Sequence, residues 1–298
     1  MHGIGAATQA TALPEFIRLL RPKQWIKNAF VAAPLFFTPE AVSVGNFKLI
    51  IAGTVLFCLA SSAIYILNDL FDREADRLHP TKASRPLASR TVSVPIAVVA
   101  FSVLAMVSMG ASLVLSKSFG LFVIAYLVLQ SAYSLGLKHV AVLDAVMIAV
   151  GFVLRIFAGS VLIGAVPSPW IVIATGLVAT FLALAKRRDD LIKDVASGHR
   201  RSLHGYTVEF LDTATAIMLS ALLVCYLMYT TSDAVIARLN APHLYITSAF
   251  VVAGVLRYLQ LAIVFRKSGS PTDVMLGDHF MIATCAGWFL TFGYLVYG

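Results

Sequence analysis

The feature that most limits how this chain can fold is a succession of apolar runs, each about twenty residues long and separated by short polar breaks. A helix rises about 1.5 Å per residue, so roughly 20 such residues cross the hydrocarbon core of a bilayer. Nine runs meet that length, near 26–44, 47–68, 93–115, 118–136, 142–164, 168–185, 212–232, 243–265 and 276–297. The first is interrupted by Pro34 and Pro39, a break that neighbouring helices can tolerate. With 59% hydrophobic and 13% charged residues in 298, a water-soluble fold would lack the polar surface to cover itself. The expected fold is all-α: a polytopic membrane protein of nine transmembrane helices, one catalytic domain over 1–298. Residues 1–20 begin without the basic start and apolar run of a signal peptide and are expected to form a polar cytoplasmic tail.

Charge orients the spans. Of 23 Lys and Arg, 18 fall in alternate loops on one side, three (Lys48, Lys117, Arg238) on the other, and Arg155 and Arg257 fall inside spans. Cytoplasmic loops carry the excess of cations. The N-terminus is therefore expected in the cytoplasm and, after nine spans, the C-terminus outside. The two long loops, 69–92 and 186–211, then both face the cytoplasm. Nucleic acid is an unsuitable partner, because the basic residues sit in short loops between spans. Membrane lipid is the expected surrounding, and a homo-oligomer stays open. Cys58, Cys225 and Cys285 lie in apolar runs without metal spacing and are expected to be small buried residues.

The acidic stretch NDLFDREAD, residues 68–76, ends the second span. Asn68, Asp72 and Asp76 recur every four residues, which on a helix drifts only about 40° per step. Their oxygens share one face, with Asp69 beside them. Mg²⁺ takes oxygen ligands, commonly one or two carboxylates plus substrate phosphates. A metal-held diphosphate is the expected ligand. Lys82 and Arg85 follow on a loop bounded by Pro80 and Pro86 and suit phosphate. RPKQWIKN, residues 21–28, gathers Lys23, Gln24, Lys27 and Asn28 around Trp25, and also reads as an ordinary interfacial anchor. Tyr133 and Lys138 close the fourth span. Asp144 and Arg155, three turns apart on one helix, are expected to form a structural pair or line a cavity, with substrate contact by Arg155 as the other reading. AKRRDDLIKD, residues 185–194, repeats the carboxylate spacing at Asp190 and Asp194 after Lys186, Arg187 and Arg188. HRRSLHGY adds Tyr206, and His79 and His199 are further candidate hydrogen-bond donors to phosphate.

Together these motifs resemble the UbiA superfamily of intramembrane prenyltransferases, whose first acidic motif is NDxxDxxxD. RPKQWIKN, HPTKASRP, YSLGLK with GFVLRIFAG, and AKRRDDL with HRRSL resemble its decaprenyl-phosphate phosphoribosyltransferase branch. The resemblance implies transfer of 5-phosphoribose from phosphoribosyl diphosphate (PRPP) to a polyprenyl phosphate, in a plasma (inner) membrane. It implies a place in the supply of cell-wall arabinan. Mg²⁺ would be held by Asn68, Asp69, Asp72 and Asp76, with Asp190 at a second ion. Asp72, Asp76, Arg85 and Lys186 would act at the reacting centre. Lys23, Lys27 and Arg187 would hold the 5-phosphate, and Tyr133 and Lys138 would orient the acceptor. Gln24, Lys82, Asp144, Arg155 and Tyr206 complete the expected substrate contacts. Two departures stand out: the second acidic motif is poor in Asp, and Arg90 occupies a turn where many relatives have Gly. Prenyl transfer from a diphosphate to an aromatic acceptor is the alternative, and a transporter with inverted repeats a third reading.

Overall fold

A computed structural model of the chain describes residues 12–79, 82–197, 205–265, 274 and 276–298. Pro80, His199, Arg200, Arg201, Arg266 and Lys267 lie outside the described residues, as does the side chain of Asp194. Among the described residues every regular element is a helix. Eight are long and apolar enough to cross a membrane: α3 (Val44–Arg77), α4 (Val94–Leu115), α5 (Lys117–Leu135), α6 (Leu143–Leu162), α7 (Pro169–Ser197), α8 (Val208–Thr231), α10 (Ser248–Leu259, continued by a π turn over Gln260–Val264) and α11 (His279–Tyr297). The remaining helices are α1 (Ala12–Leu20), α2 (Ala33–Phe36) and α9 (Asp233–Leu239).

The expected first span, 26–44, departs from the reading. It is a 3₁₀ helix over Pro22–Val31, then α2, then a 3₁₀ turn over Pro39–Ala41. Pro34 and Pro39 each lack the N–H that an interior α-helical turn needs, and a proline ring collides with the carbonyl four residues back. The break at Arg21, whose φ is 52°, separates α1 from the 3₁₀ helix. The other eight expected spans match helices within a few residues, except that α3 and α7 each run on past their apolar parts. α3 thereby carries the whole acidic motif on one continuous helix.

The chain forms two compact units. The first comprises 1–138 and 154–166, the second 139–153 and 167–298. In the first, α3 starts at Ser43, whose hydroxyl accepts from Asn46 N at 3.1 Å, and α5 starts at Ser116 in the same way. Phe57, Phe119, Val123, Tyr126, Ala158 and Leu162 fill the core, with the Phe57 ring 5.9 Å from Phe119 and 5.4 Å from Tyr126. Val31 joins this core because Gly159 has no side chain: a Cβ there would lie 1.9 Å from the Val31 carbonyl oxygen. In the second unit, Thr207 and Asp278 cap α8 and α11, and Phe181 packs edge-on to Tyr258 at 4.7 Å. Trp288 donates to Tyr226 Oη at 2.6 Å, which also shares a hydrogen bond with Thr247.

Large apolar side chains stay exposed along α4 (Val99, Met106, Val114) and α11 (Phe289, Leu290, Tyr294). An apolar surface of that extent suits lipid and would drive aggregation in water. Cys285 sits on this outward surface of α11, so the expectation that all three cysteines are buried fails for it; Cys225 is buried and Cys58 half-buried. Lipid removes the penalty for leaving a thiol on the outside.

Candidate active site

In the first unit the acidic end of α3 is met by three cations from three other segments. Asn68 Nδ2 donates to Asp72 Oδ2 at 3.0 Å. Lys138 Nζ, just beyond α5, donates to Asn68 Oδ1 at 3.2 Å and to Asp72 Oδ1 at 2.5 Å. Asp69 and Asp76 are almost fully buried and face guanidinium groups: Arg85 donates to Asp76 at 2.6 Å and to Asp69 at 3.2 Å, and Arg21 donates to Asp69. The four residues expected to share one metal are thus divided into an Asn68–Asp72 pair under an ammonium and an Asp69–Asp76 pair under two arginines.

Arg85 is aimed by its loop. Leu87, Ala88 and Val92 are buried, Leu87 and Val92 against Leu19, Ile66 and Ala97. Arg77 Nε donates to the Ala88 carbonyl at 3.1 Å, and Ser89 Oγ to the Arg85 carbonyl at 2.9 Å. Arg90 occupies the left-handed region at φ 63°, which explains why a glycine suits that turn. Lys82, on the same loop, is exposed.

The Asn68–Asp72 pair fits a divalent ion. It offers hard oxygen donors, and the positive charge of Lys138 rests on the same oxygens that a metal would use. Among the described residues no group of three or more His, Cys, Asp or Glu converges on one point. A metal here would take few protein ligands and fill the rest with water and phosphate, the habit of Mg²⁺ rather than of Ca²⁺ or Zn²⁺.

Arg21 stands just before the 3₁₀ helix, which carries the half-buried Gln24 and the exposed Lys27. Trp25 Nε1 donates to Ser62 Oγ at 3.0 Å, and Asn28 Nδ2 donates to Ser61 Oγ at 3.1 Å. Arg155 is 5% exposed; it donates to Asn28 Oδ1 at 2.9 Å and to Tyr126 Oη at 3.1 Å, with its guanidinium 4.6 Å from the Tyr126 ring centre. Burial, with Arg155 and then Arg21 nearby, lowers the Lys27 ammonium to about 8. By surface area the Lys27 side chain is exposed, so solvent screens part of that effect.

The second unit holds the other candidates. Asp144, 2% exposed in the first turn of α6, accepts from Arg187 Nε at 2.6 Å and from Tyr206 Oη at 2.6 Å. Tyr206 Oη in turn accepts from Val142 N at 2.6 Å. Val142 has φ 70°, a strained conformation for a β-branched residue, which this hydrogen bond helps to hold. Burial and the Asp144 hydrogen bond push the Tyr206 phenol up to about 12. Asp144 and Arg155 do not form the expected pair: eleven residues apart on one helix they are separated by roughly 16 Å, and each has its own partners. Asp190 lies 3.6 Å from Arg187 Nη1 and is 41% exposed, whereas its neighbour Asp189 is buried and bonded to Lys193 at 2.6 Å. Lys186 is exposed and Tyr133 half-buried.

The residues that sequence reasoning passed over are Arg21 and the Arg188–Asp212 ion pair joining α7 to α8. Arg21 heads RPKQWIKN, and only the turn at its left-handed φ directs it to Asp69. The Arg188 partner is 24 residues away in sequence, beyond any local pattern.

The UbiA prenyltransferase family profile matches residues 29–284, most of the chain. The chain belongs to the UbiA prenyltransferase family. It is 32% identical to a decaprenyl-phosphate phosphoribosyltransferase of Mycolicibacterium smegmatis, over 94% of this chain and 92% of that one. It is 30% identical to the protein of the same name from Mycobacterium tuberculosis, over 93% and 92%. Among solved structures, a UbiA homolog from Archaeoglobus fulgidus bound to GPP and Mg²⁺ shares its fold, with TM-score 0.68 and 20% identity over 94% of this chain and 99% of that one. A digeranylgeranylglyceryl phosphate synthase superposes with TM-score 0.69 at 14% identity, covering 96% and 98%. Membership of the UbiA family sets the transporter reading aside.

Proposed function

We propose that this UbiA-family protein transfers 5-phosphoribose from PRPP to a polyprenyl phosphate, giving polyprenyl-phosphoryl-5-phosphoribose and diphosphate. The observation that carries the reading is the identity of about 30% to decaprenyl-phosphate phosphoribosyltransferases, spread over more than nine-tenths of both chains.

The chemistry forms one bond and breaks one. A phosphate oxygen of the lipid acceptor attacks C1 of the ribose, the C1–O bond to the diphosphate breaks, and the electron pair leaves with the diphosphate. Negative charge grows on that leaving group and positive charge on the ribose ring. Mg²⁺, when bound by Asn68 and Asp72, supplies a Lewis acid for the leaving diphosphate. Arg85, clamped on Asp69 and Asp76 and held by its packed loop, keeps a guanidinium pre-aimed at the same charge, so little reorganisation is needed during reaction. Asp69 and Asp76 thereby orient arginines. Lys138 supplies positive charge at the Asn68–Asp72 pair, the two residues that would hold the metal. The acceptor phosphate already carries its charge and needs positioning more than a general base. In the second unit Asp144 fixes Arg187, a guanidinium suited to phosphate. The protein works as a multi-pass plasma-membrane enzyme with its N-terminus and acidic motif on the cytoplasmic side.

The test is incorporation of label from radiolabelled PRPP into the lipid fraction, using purified protein and polyprenyl phosphate with and without Mg²⁺. Metal-dependent label in lipid is the expected result. No label, together with prenylation of an aromatic acid from a prenyl diphosphate, would overturn the substrate assignment.

A further inference from the structure

Residues 12–20, expected as part of a polar tail, form α1, and this helix has two faces. Leu19 is fully buried, with Phe16 and Leu20 beside it, in a cluster with Ile66 of α3, Leu87, Val92 and Ala97. Ile17, on the other side, is 47% exposed. A free helix of nine residues is marginal in water, so α1 owes its order to the surface it packs on. Part of that surface is the loop that carries Arg85.

The loop over 82–92 is tied to α1 along its length. Arg18 Nη2 donates to the Ser84 carbonyl at 3.3 Å, and Thr91 Oγ1 donates to Glu15 Oε2 at 3.3 Å. Glu15 and Arg18 themselves pair at 2.6 Å. Leu19 joins the loop's own buried residues, Leu87 and Val92. Arg21, just past α1, donates to Asp69 Oδ1, the same oxygen that Arg85 uses. Exposed polar contacts contribute little, so the buried leucine carries most of the hold. α3 thus fixes the guanidinium of Arg85 through Asp69 and Asp76, while α1 fixes the backbone behind it.

We infer that α1 is a latch for the Arg85 loop, with Leu19, Glu15 and Arg18 as positioning residues that set the affinity of the acidic site for diphosphate through Arg85. None of these residues needs to touch the ligand. With α1 released, Leu87 and Val92 lose their cover and the loop gains freedom that a bound diphosphate must remove again. The inference rests on the reading that Arg85 meets the leaving diphosphate. That group is common to PRPP and to a prenyl diphosphate, so the latch holds for either donor.

The experiment uses the full-length protein in nanodiscs and two readouts: hydrogen exchange of the amides over 82–92, and binding of inorganic diphosphate with Mg²⁺ by calorimetry. Leu19→Ala should speed exchange in the loop by about tenfold and weaken diphosphate by about fivefold. Leu19→Met, which keeps the volume, and Ile17→Ala, on the exposed face, should stay within about twofold of wild type. Arg85→Met should weaken diphosphate by about tenfold or more, the size of a hydrogen bond to a charged group. In the Arg85→Met background Leu19→Ala should add less than about twofold, because the latch acts only through Arg85. Glu15→Ala with Arg18→Met spares the apolar core and should speed loop exchange by about twofold or more, which keeps the test open if Leu19→Ala fails to fold. Wild-type loop exchange in the latch variants, wild-type diphosphate affinity in Arg85→Met, or full additivity of Leu19→Ala and Arg85→Met would overturn the inference. Neither readout needs turnover or a particular donor, so a wrong substrate assignment would show in the labelled-PRPP assay and leave these results standing.

Discussion

Gly159→Ala is a test of whether the 3₁₀ helix is a rigid part of the site. The new Cβ would stand 1.9 Å from the Val31 carbonyl oxygen, 2.9 Å from its carbon and 3.3 Å from its Cα. Ordinary carbon–oxygen contact needs roughly 3.3 Å, so α6 and the 3₁₀ helix must part by more than about 1 Å. Both partners are backbone, and no rotamer change relieves the clash. Overpacking of this kind costs about 1–3 kcal/mol. The same movement stretches the 2.9 Å bond from Arg155 to Asn28 and carries Gln24 and Lys27 with it. A misplacement of about 1 Å at a positioning group costs on the order of 10²-fold in rate. The control is Gly53→Ala, whose closest neighbour is the tip of a flexible side chain, Leu162 Cδ1 at 2.4 Å, followed by the Phe119 ring at 3.3 Å. Thermal unfolding in detergent and transfer from labelled PRPP are measured for both variants. Gly159→Ala should lose far more activity and more stability than Gly53→Ala. Equal behaviour of the two, or wild-type activity in Gly159→Ala, would refute the idea that this close approach positions the segment.

Other outcomes follow from the same geometry. Asp72→Ala removes a carboxylate from the metal pair and should lower transfer by on the order of 10²-fold and raise the Mg²⁺ needed for half-activity, read in a metal titration. Tyr206→Phe deletes the hydroxyl that bridges Val142 N and Asp144; because this phenol is held protonated to about pH 12, the loss should be constant from pH 6 to 9, at about tenfold in activity. A loss that varied with pH across that range would count against it. Lys27 holds its proton less tightly when folded, at about 8, than when unfolded, near 10.5, so its cost to stability is fully present below pH 8 and is relieved as pH rises towards 10.5. Lys27→Met should therefore raise the melting temperature at pH 7 and do so much less near pH 10. Arg90→Gly relieves a left-handed residue and should stabilise by about 0.5–1 kcal/mol after glycine's entropy cost, measured by thermal unfolding.

The sequence alone decided the solvent. Runs of twenty apolar residues have no stable home outside lipid, and eight of the nine that were read became helices of that length. It also placed Asn68 and Asp72 together, because four-residue spacing on a helix brings side chains to one face whatever surrounds them. The tertiary structure decided what those oxygens meet. Lys138 comes from 66 residues away and Arg21 from 48, and no local period encodes such encounters. It also decided the fate of RPKQWIKN. Read with a period of 3.6, Lys23 and Lys27 share a face; the proline breaks and the grip of Asn28 and Gly159 impose a period of 3.0, which parts them. Asp144 and Arg155 show the same limit. Each charge on α6 had to find a partner, but the helix itself holds them too far apart to satisfy each other, so the partners came from other segments. Short-range periodicity fixes which side chains can act together on one element, whereas burial of charge is settled only when the elements pack.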